Sequence, residues 1–195
     1  MQHILKISLT VCFLTVAISL QAQRFQAGLV AGINLSQIDG DRLAGFNQPG
    51  LSAGAKVATI LSDRWQVSLE LLYSQQGARR NNKDDPSSAY DRIRLNFVEV
   101  PVAINFKEWK FHLTAGVSYA RLINYKVIDF SGVDVTDSEN FNENIYSLVL
   151  GGIYYFREDM GVDVRWIRSL NDLQAAKDRD SLIGRSLSFK LVYLF

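Results

Sequence analysis

Hydrophobic and polar residues alternate along most of the chain. From about residue 24 onward, apolar residues recur at every second position in eight successive segments, with small or polar residues between them. In one such segment Trp65, Val67 and Leu69 alternate with Gln66 and Ser68. A period of two is that of a β-strand whose two faces meet different surroundings. The pattern therefore predicts eight strands of roughly ten residues, the length that a tilted strand needs to cross a bilayer.

The connections between these segments are alternately short and long. The short ones lie near residues 62–64, 107–110 and 157–161, and the long, polar ones near residues 36–49, 77–89, 123–143 and 171–183. Outer-membrane barrels have tight periplasmic turns and long external loops. We therefore predict an all-β fold, an eight-stranded antiparallel up-and-down transmembrane β-barrel with short periplasmic turns and long extracellular loops.

The apolar face of each strand is predicted to contact lipid. An eight-stranded barrel is only just wide enough for side chains, and rows of Leu, Tyr, Trp and Phe would overfill it. Aromatic residues also cluster near the strand ends, as membrane-interface belts do. The short-turn belt is predicted to contain Trp65, Phe106, Trp109, Phe111, Phe156 and Phe195, and the loop-end belt Tyr73, Tyr90, Tyr119 and Tyr146. The rival fold is a soluble lipocalin-type barrel with the apolar face inward.

The N-terminal segment has the layout of a secretion signal. Lys6 precedes an apolar run over residues 7–20, and small or polar residues close it. We expect a signal peptide over residues 1–22, with cleavage after Ala22 or Gln23. The barrel domain would then span residues 23–195, with its N-terminus in the periplasm.

Composition excludes several other classes of protein. The net charge of +1 argues against a nucleic-acid partner, which would require a basic excess. The one cysteine, Cys12, lies inside the signal run; lipidation there is disfavoured because Val11 stands where a small residue is expected. No later stretch approaches 18 uninterrupted apolar residues, so no transmembrane helix is predicted.

Several short motifs resemble a known family. They are the run Val98-Glu99-Val100-Pro101-Val102, the pair Gly151-Gly152 before an aromatic run, and Arg165-Trp166 followed by Ser169-Leu170. In order and spacing they are similar to the small outer-membrane β-barrel family of Bacteroidota, often called porin-like or PorT-like, although Ser169 stands where that family tends to have Gly. The resemblance implies the fold and an outer-membrane location. It also implies that the aromatic C-terminal Phe195 is a signal for the barrel-assembly machinery.

Six charged residues fall on the polar, inward face, four of them near mid-height and the other two, Asp163 and Arg165, somewhat lower. They are Lys56, Glu70, Glu99, Asp163, Arg165 and Lys190. Three are positive and three negative, so the set can neutralise itself. In so narrow a barrel we predict that Glu70 and Glu99 pair with Arg165, Lys56 or Lys190 and plug the bore. The alternative is an open lumen in which each charge is solvated separately.

No catalytic, cofactor or metal site is predicted. A lipid-modifying barrel could use a His-hydroxyl pair, but here only His112-Leu113-Thr114 approaches one, at the wrong end for the outer leaflet. The loop acids Asp134, Asp137, Glu139 and Glu143 could bind calcium weakly, though their spacing matches no known loop and a solvated acidic loop is favoured. The basic residues Arg79, Arg80, Lys83, Arg92 and Arg94 could contact lipopolysaccharide phosphates or be solvated loop charges.

The main functional hypothesis is a non-enzymatic outer-membrane barrel that acts through its extracellular loops or envelope partners. The expected partners are outer-membrane lipid, lipopolysaccharide, the barrel-assembly machinery and an envelope protein. The alternatives are a component of an envelope secretion or assembly system, a narrow porin, a lipid-modifying enzyme and a soluble ligand-binding barrel.

Overall fold

The computed structural model describes residues 24–43, 45–81, 88–175 and 181–195, and these form a closed antiparallel β-barrel. The strands are β1 (Arg24–Asp39), β2 (Gln48–Ile60), β3 (Trp65–Arg79), β4 (Tyr90–Glu108), β5 (Phe111–Asp129), β6 (Asn144–Tyr155), β7 (Met160–Ser169) and β8 (Ile183–Leu194). Each strand pairs with its sequence neighbours, and β1 closes the barrel by pairing with β8. The predicted eight-stranded up-and-down barrel is confirmed.

The loop lengths also follow the prediction. Residues 61–64, 109–110 and 156–159 form the short connections, and all the other connections are longer. A short 3-10 helix, Thr136–Ser138, lies between β5 and β6. The described residues contain no helix that is long and apolar enough to cross a membrane. The expected signal peptide and its cleavage site lie outside the described residues.

Two aromatic belts mark the height of the outward apolar face. On β3, β5 and β6 the belts are eight residues apart: Trp65 to Tyr73, Phe111 to Tyr119, and Tyr154 to Tyr146. Within each belt the rings touch across strands, with centroids 4.7 Å apart for Phe111 and Tyr154 and 5.6 Å for Tyr119 and Tyr146. Eight residues span roughly 26 Å along a strand and about 20 Å across a bilayer at the usual tilt. The wall between the belts therefore matches the apolar band of a membrane barrel.

Strands β4 and β5 continue well past the upper belt. Each has 19 residues, about twice the predicted length. Residues 75–79 of β3, 90–97 of β4 and 122–129 of β5, together with the described residues of the loops that join them, form a part of the barrel beyond the upper belt that we call the extension. The prediction that Tyr90 belongs to the upper belt is wrong. It begins β4, packs against the core of the extension, and donates a hydrogen bond from its hydroxyl to Oε1 of Glu139 at 3.1 Å.

Inside the extension the barrel contains an apolar core, contrary to the expectation of a polar interior throughout. The buried cluster consists of Ile38, Leu43, Ala78, Ile93, Leu95, Phe97, Ala120, Val127, Phe141, Ile145, Leu173 and Leu182. On β4 the apolar residues change faces at the boundary: Phe97 points inward, whereas Val98 and the alternate residues below it point outward. Above the membrane the outer solvent is water, so the apolar side chains turn to the interior as in a soluble protein.

A β-bulge produces the same change of face on β5. The β4–β5 register runs from Phe97 opposite Leu122 to Asn96 opposite Asn124, which leaves Ile123 as an extra residue. A bulge re-aims the residues that follow it. Lys126 therefore points outward and Val127 inward.

Pro101 interrupts one ladder, as its missing N–H predicts. The β3–β4 pairing passes from Leu69 opposite Val102 directly to Leu72 opposite Glu99, so the two intervening pairs are absent. The register resumes unchanged, without a bulge, and on the other side β4 pairs continuously with β5 through residues 99–103.

Candidate functional site

Five charged side chains meet inside the barrel, between the two aromatic belts. They are Lys56 of β2, Glu70 of β3, Asp163 and Arg165 of β7, and Lys190 of β8, each at most 3% exposed. Strand alternation explains why they are inside, because each lies on the inward face of its strand. We call this group the charge layer.

Arg165 is the centre of the charge layer. Its guanidinium makes a two-pronged contact with Glu70, donating from Nη1 to Oε2 at 3.0 Å and from Nη2 to Oε1 at 2.6 Å. Its Nε also donates to Oδ1 of Asp163 at 2.9 Å. Oδ2 of Asp163 lies 2.6 Å from Nη2 but off the direction of its N–H bonds, so that contact is ionic and not a hydrogen bond. A bidentate arginine–carboxylate pair is among the strongest polar contacts in proteins.

The two lysines complete the charge layer from either side. Nζ of Lys56 is 3.5 Å from Oε1 of Glu70, and the two residues are direct partners on β2 and β3. Nζ of Lys190 is 3.4 Å from Oε2 of Glu70 and 3.9 Å from Oδ2 of Asp163. Three cations thus surround two carboxylates, and Glu70 touches all three.

Glu99 does not join this network, and its predicted pairing with a cation is wrong. It is buried on the inward face of β4, where it accepts a hydrogen bond from Oγ of Ser118 at 2.8 Å. Among the described residues it forms no ion pair within 4 Å. Glu99 still balances the formal charge of the interior, because the layer alone holds one more cation than anions.

Glycine lies beside each cation of the charge layer. Gly28 is the cross-strand partner of Lys56, Gly32 that of Lys190 and Gly151 that of Arg165. A Cβ built on Gly151 would lie 2.3 Å from the carbonyl oxygen of Val164 and 2.9 Å from Cγ of Arg165. These glycines leave room for long side chains to cross the bore.

Apolar side chains flank the charge layer in both directions. A small buried cluster lies around the charges and consists of Val30, Leu72, Ile153, Val192 and Leu194. On β8, Val192 and Leu194 lie nearer the short-turn end than Lys190, and on β3 Leu72 lies nearer the loop end than Glu70. The core of the extension lies further toward the loops. This upper core is the feature that sequence reasoning missed. The sequence does carry a signal for it on β4. The apolar residues Ile93, Leu95 and Phe97 occupy odd-numbered positions, whereas Val98 and Val100 occupy even-numbered ones, so the apolar face of the strand changes sides.

A cavity of about 540 Å³ opens at the short-turn end. It is lined by Gln26, Gln66, Lys107, Trp109, Lys110, His112, Tyr155, Phe156, Arg157, Glu158 and Leu194. The ring of His112 contacts that of Tyr155 in a tilted arrangement, with the ring centroids 4.7 Å apart. The hydroxyl of Thr114 donates to Oδ1 of Asn105 at 2.8 Å, so it is not activated by His112.

The acidic residues of the third long loop contact different partners and do not converge on one site. Asp134 accepts from Thr136 and pairs with Lys126 at 3.4 Å, while Glu143 pairs with Arg121 at 2.7 Å. The described residues contain no group of three or more side chains placed to hold a metal ion. The calcium hypothesis therefore gains no support from the geometry of this loop.

The basic residues of the second loop divide into two sets. Arg80 points toward the loop itself and donates to the carbonyl oxygens of Ser88 at 2.5 Å and Tyr90 at 3.3 Å. Arg79, Arg92 and Arg94 lie on outward positions of β3 and β4. Lys83 lies outside the described residues.

The C-terminal Phe195 joins the lower aromatic belt. It is 74% exposed, its ring contacts Tyr193 at 5.9 Å, and its N–H donates to the carbonyl oxygen of Ala27. Its side chain thus faces the surroundings of the barrel at the short-turn end.

Comparison with known proteins identifies a family. The family described as "Outer membrane protein beta-barrel domain" matches residues 21–175. A comparison with curated proteins found no match.

Solved outer-membrane barrels have a similar structure. Neisserial surface protein A is 13% identical, with a TM-score of 0.52 over 88% of this chain and 97% of that one. Ail, the attachment invasion locus protein of Yersinia pestis, is also 13% identical, with a TM-score of 0.50 over 87% of this chain and 98% of that one. At such low identity the likeness shows the fold alone.

Proposed function

The chain belongs to the outer membrane protein beta-barrel domain family, and we propose that this integral outer-membrane protein neither conducts solutes nor catalyses a reaction, but acts through its extracellular extension, its loops or an envelope partner. The short turns and the N-terminus would lie in the periplasm, and the extension outside the cell. This orientation is supported by the segregation of short and long connections at opposite ends.

The observation that carries the proposal is the filled interior. A solute would have to cross two unlike barriers, the charge layer around Arg165 and the apolar core that includes Phe97. Separating the charges would strand buried carboxylates, at a cost of about 3–5 kcal/mol for the loss of one partner. The upper core packs large apolar side chains together, as the interior of a soluble domain does.

The surroundings of His112 support the proposal that the protein does not catalyse a reaction. A nucleophilic site needs a hydroxyl bonded to its base and a third group that orients the base. Here the neighbouring hydroxyl of Thr114 is committed to Asn105, and His112 contacts the ring of Tyr155 instead. The lipid-modifying alternative therefore lacks its central pair.

A role in an envelope secretion or assembly system would require a docking surface for a partner. The exposed side chains of Phe130 and Val133, in the connection that follows β5, offer an apolar one on the outside. The cavity at the short-turn end offers a second on the periplasmic side. The exposed Phe195 is consistent with its expected contact with the barrel-assembly machinery.

Planar-bilayer recording tests the sealed interior. We expect no steady conductance from the purified wild-type protein, with insertion verified by the heat-dependent shift in gel mobility that folded barrels show. Glu99→Gln should also stay closed, because Glu99 lies outside the charge layer, and Glu70→Gln should stay closed because the upper core still blocks the bore. Steady conductance in the wild type would refute the sealed interior and favour a narrow porin.

A further inference from the structure

Four basic residues form a compact group on the outer wall of the extension. Arg79 on β3 is directly opposite Arg92 on β4, and Arg94 on β4 is directly opposite Lys126 on β5. Arg92 and Arg94 are two residues apart on the same face of β4. We call these four residues the basic band.

The basic band is electrostatically unfavourable in isolation. Like charges directly opposite each other on neighbouring strands destabilise a sheet, because their Cβ atoms are only about 5 Å apart. Among the described residues, Lys126 pairs with Asp134, but Arg79, Arg92 and Arg94 form no ion pair. Nε of Arg92 is buried and has no hydrogen-bond partner there. An anion bound from outside would relieve this repulsion.

The height of the basic band identifies the source of that anion. Tyr73 of the upper belt is opposite Val98 on β4, and Arg94 is four residues further along that strand. Four residues raise the chain by roughly 13 Å along the strand and about 10 Å along the membrane normal. Polar headgroups occupy roughly the first 5–8 Å beyond the hydrocarbon on each side. Long arginine side chains can reach back over the remaining distance.

We propose that the basic band binds the phosphate groups of lipopolysaccharide in the outer leaflet. It lies on the wall that continues upward from the lipid-facing surface, not in a groove or at the tip of a loop. Its charge is complementary to phosphate, and the arginine guanidinium matches phosphate oxygens in a two-pronged geometry. The inference rests on the membrane-spanning barrel and does not depend on whether the interior conducts.

Binding of purified lipopolysaccharide to the refolded full chain in detergent tests the proposal. The variant Arg79→Gln/Arg94→Gln should weaken the Kd at least tenfold, since each basic residue near an anionic lipid surface contributes about a fivefold change. The matched control, Lys107→Gln/Lys110→Gln, removes two exposed cations from the opposite end and should bind as the wild type does. Both variants should retain the circular dichroism spectrum of the folded barrel.

Two further probes define the ligand. Dephosphorylated lipopolysaccharide should bind the wild type and the Arg79→Gln/Arg94→Gln variant equally. Phosphatidylglycerol micelles should show a smaller difference between these proteins than lipopolysaccharide does. The proposal is overturned if both double variants lose affinity equally or neither does, and the assignment to lipopolysaccharide is overturned if phosphatidylglycerol reproduces the full effect. Bilayer conductance is a separate readout, so failure here would leave the sealed interior standing.

Discussion

The membrane-embedded barrel and the extension are built from the same strands, yet they bury opposite kinds of residue. Between the belts Leu69 points outward and the polar Ser68 is buried. In the extension Arg94 points outward and Leu95 is buried. The backbone and its alternation are the same in both regions. What differs is the outer solvent, which is hydrocarbon in one and water in the other.

This difference shows that the kind of residue that faces inward is set separately at each height of the barrel, even along a single strand. Exposing an apolar side chain to hydrocarbon carries no free-energy penalty, so the embedded region can place its apolar side chains outside and fill its interior with charges and hydroxyls. Water restores the usual hydrophobic effect, and the extension gains stability from an apolar core. The two regions also hold their interiors differently, one by directional ion pairs and the other by packing.

The largest expected effect comes from breaking the ionic interior. Arg165→Met should lower the free energy of unfolding by about 5 kcal/mol, the upper end for loss of a buried partner, because it removes the bidentate partner of Glu70 and leaves Asp163 with Lys190 alone, 3.9 Å away. Urea unfolding in phospholipid liposomes measures this change. The surface pair of Arg64 and Glu108, 3.6 Å apart, provides the control: Arg64→Met should cost less than about 1 kcal/mol.

A second variant tests whether the loss of ion-pair partners causes this destabilisation. The variant Asp163→Asn/Arg165→Met removes one charge of each sign, leaves Glu70 with Lys56 and Lys190, and should recover part of the stability that Arg165→Met loses. If Arg165→Met is as stable as the wild type, the charge layer does not hold the embedded barrel together.

A smaller effect is expected from breaking the apolar interior. Phe97→Ala should lower the free energy of opening of the extension by about 3–4 kcal/mol, through lost burial and the cavity left behind. Faster hydrogen exchange at amides of the extension, such as that of Val127, with unchanged exchange between the belts, is the expected readout. Val98→Ala, at the next, outward position, should cost much less. Exchange that speeds up equally in both regions would show that they are one cooperative unit.

The smallest effects are expected from substitutions at outward-facing positions of the embedded barrel and of the extension. Leu69→Arg places a charge in the hydrocarbon and should cost about 2–3 kcal/mol, while the reciprocal change Arg94→Leu should stay within about 0.5 kcal/mol. Both are measured by urea unfolding in liposomes that lack lipopolysaccharide, so that ligand binding does not contribute. Similar costs for the two changes would contradict the inversion of polarity at the upper belt.

The sequence predicted the parts of this structure that depend on local alternation. Strand number, loop alternation and the outward direction of residues such as Leu69 follow from a period of two and a sterically limited bore. The same reasoning correctly placed Arg165 and Glu70 inside. It failed on β4 because the change of face at Phe97 and Val98 has meaning only once the position of the membrane surface is known.

The partners of the interior charges could not be predicted in the same way. Glu70 and Glu99 are equivalent in sequence terms, since each is an inward carboxylate near mid-strand. Only Glu70 meets Arg165, a residue 95 positions away on a strand that is not its neighbour. Glu99 instead lies beside Ser118 of β5.

The sequence by itself determined which side chains face inward within the bilayer, because alternation along a strand is fixed by backbone sterics one residue at a time. Only the tertiary structure decided which of them touch across the bore, how far β4 and β5 project above the membrane, and where the bulge at Ile123 turns Lys126 outward. Contacts across a barrel depend on its closure, strand tilt and stagger. Those are properties of all eight strands together, and no single segment of the chain encodes them.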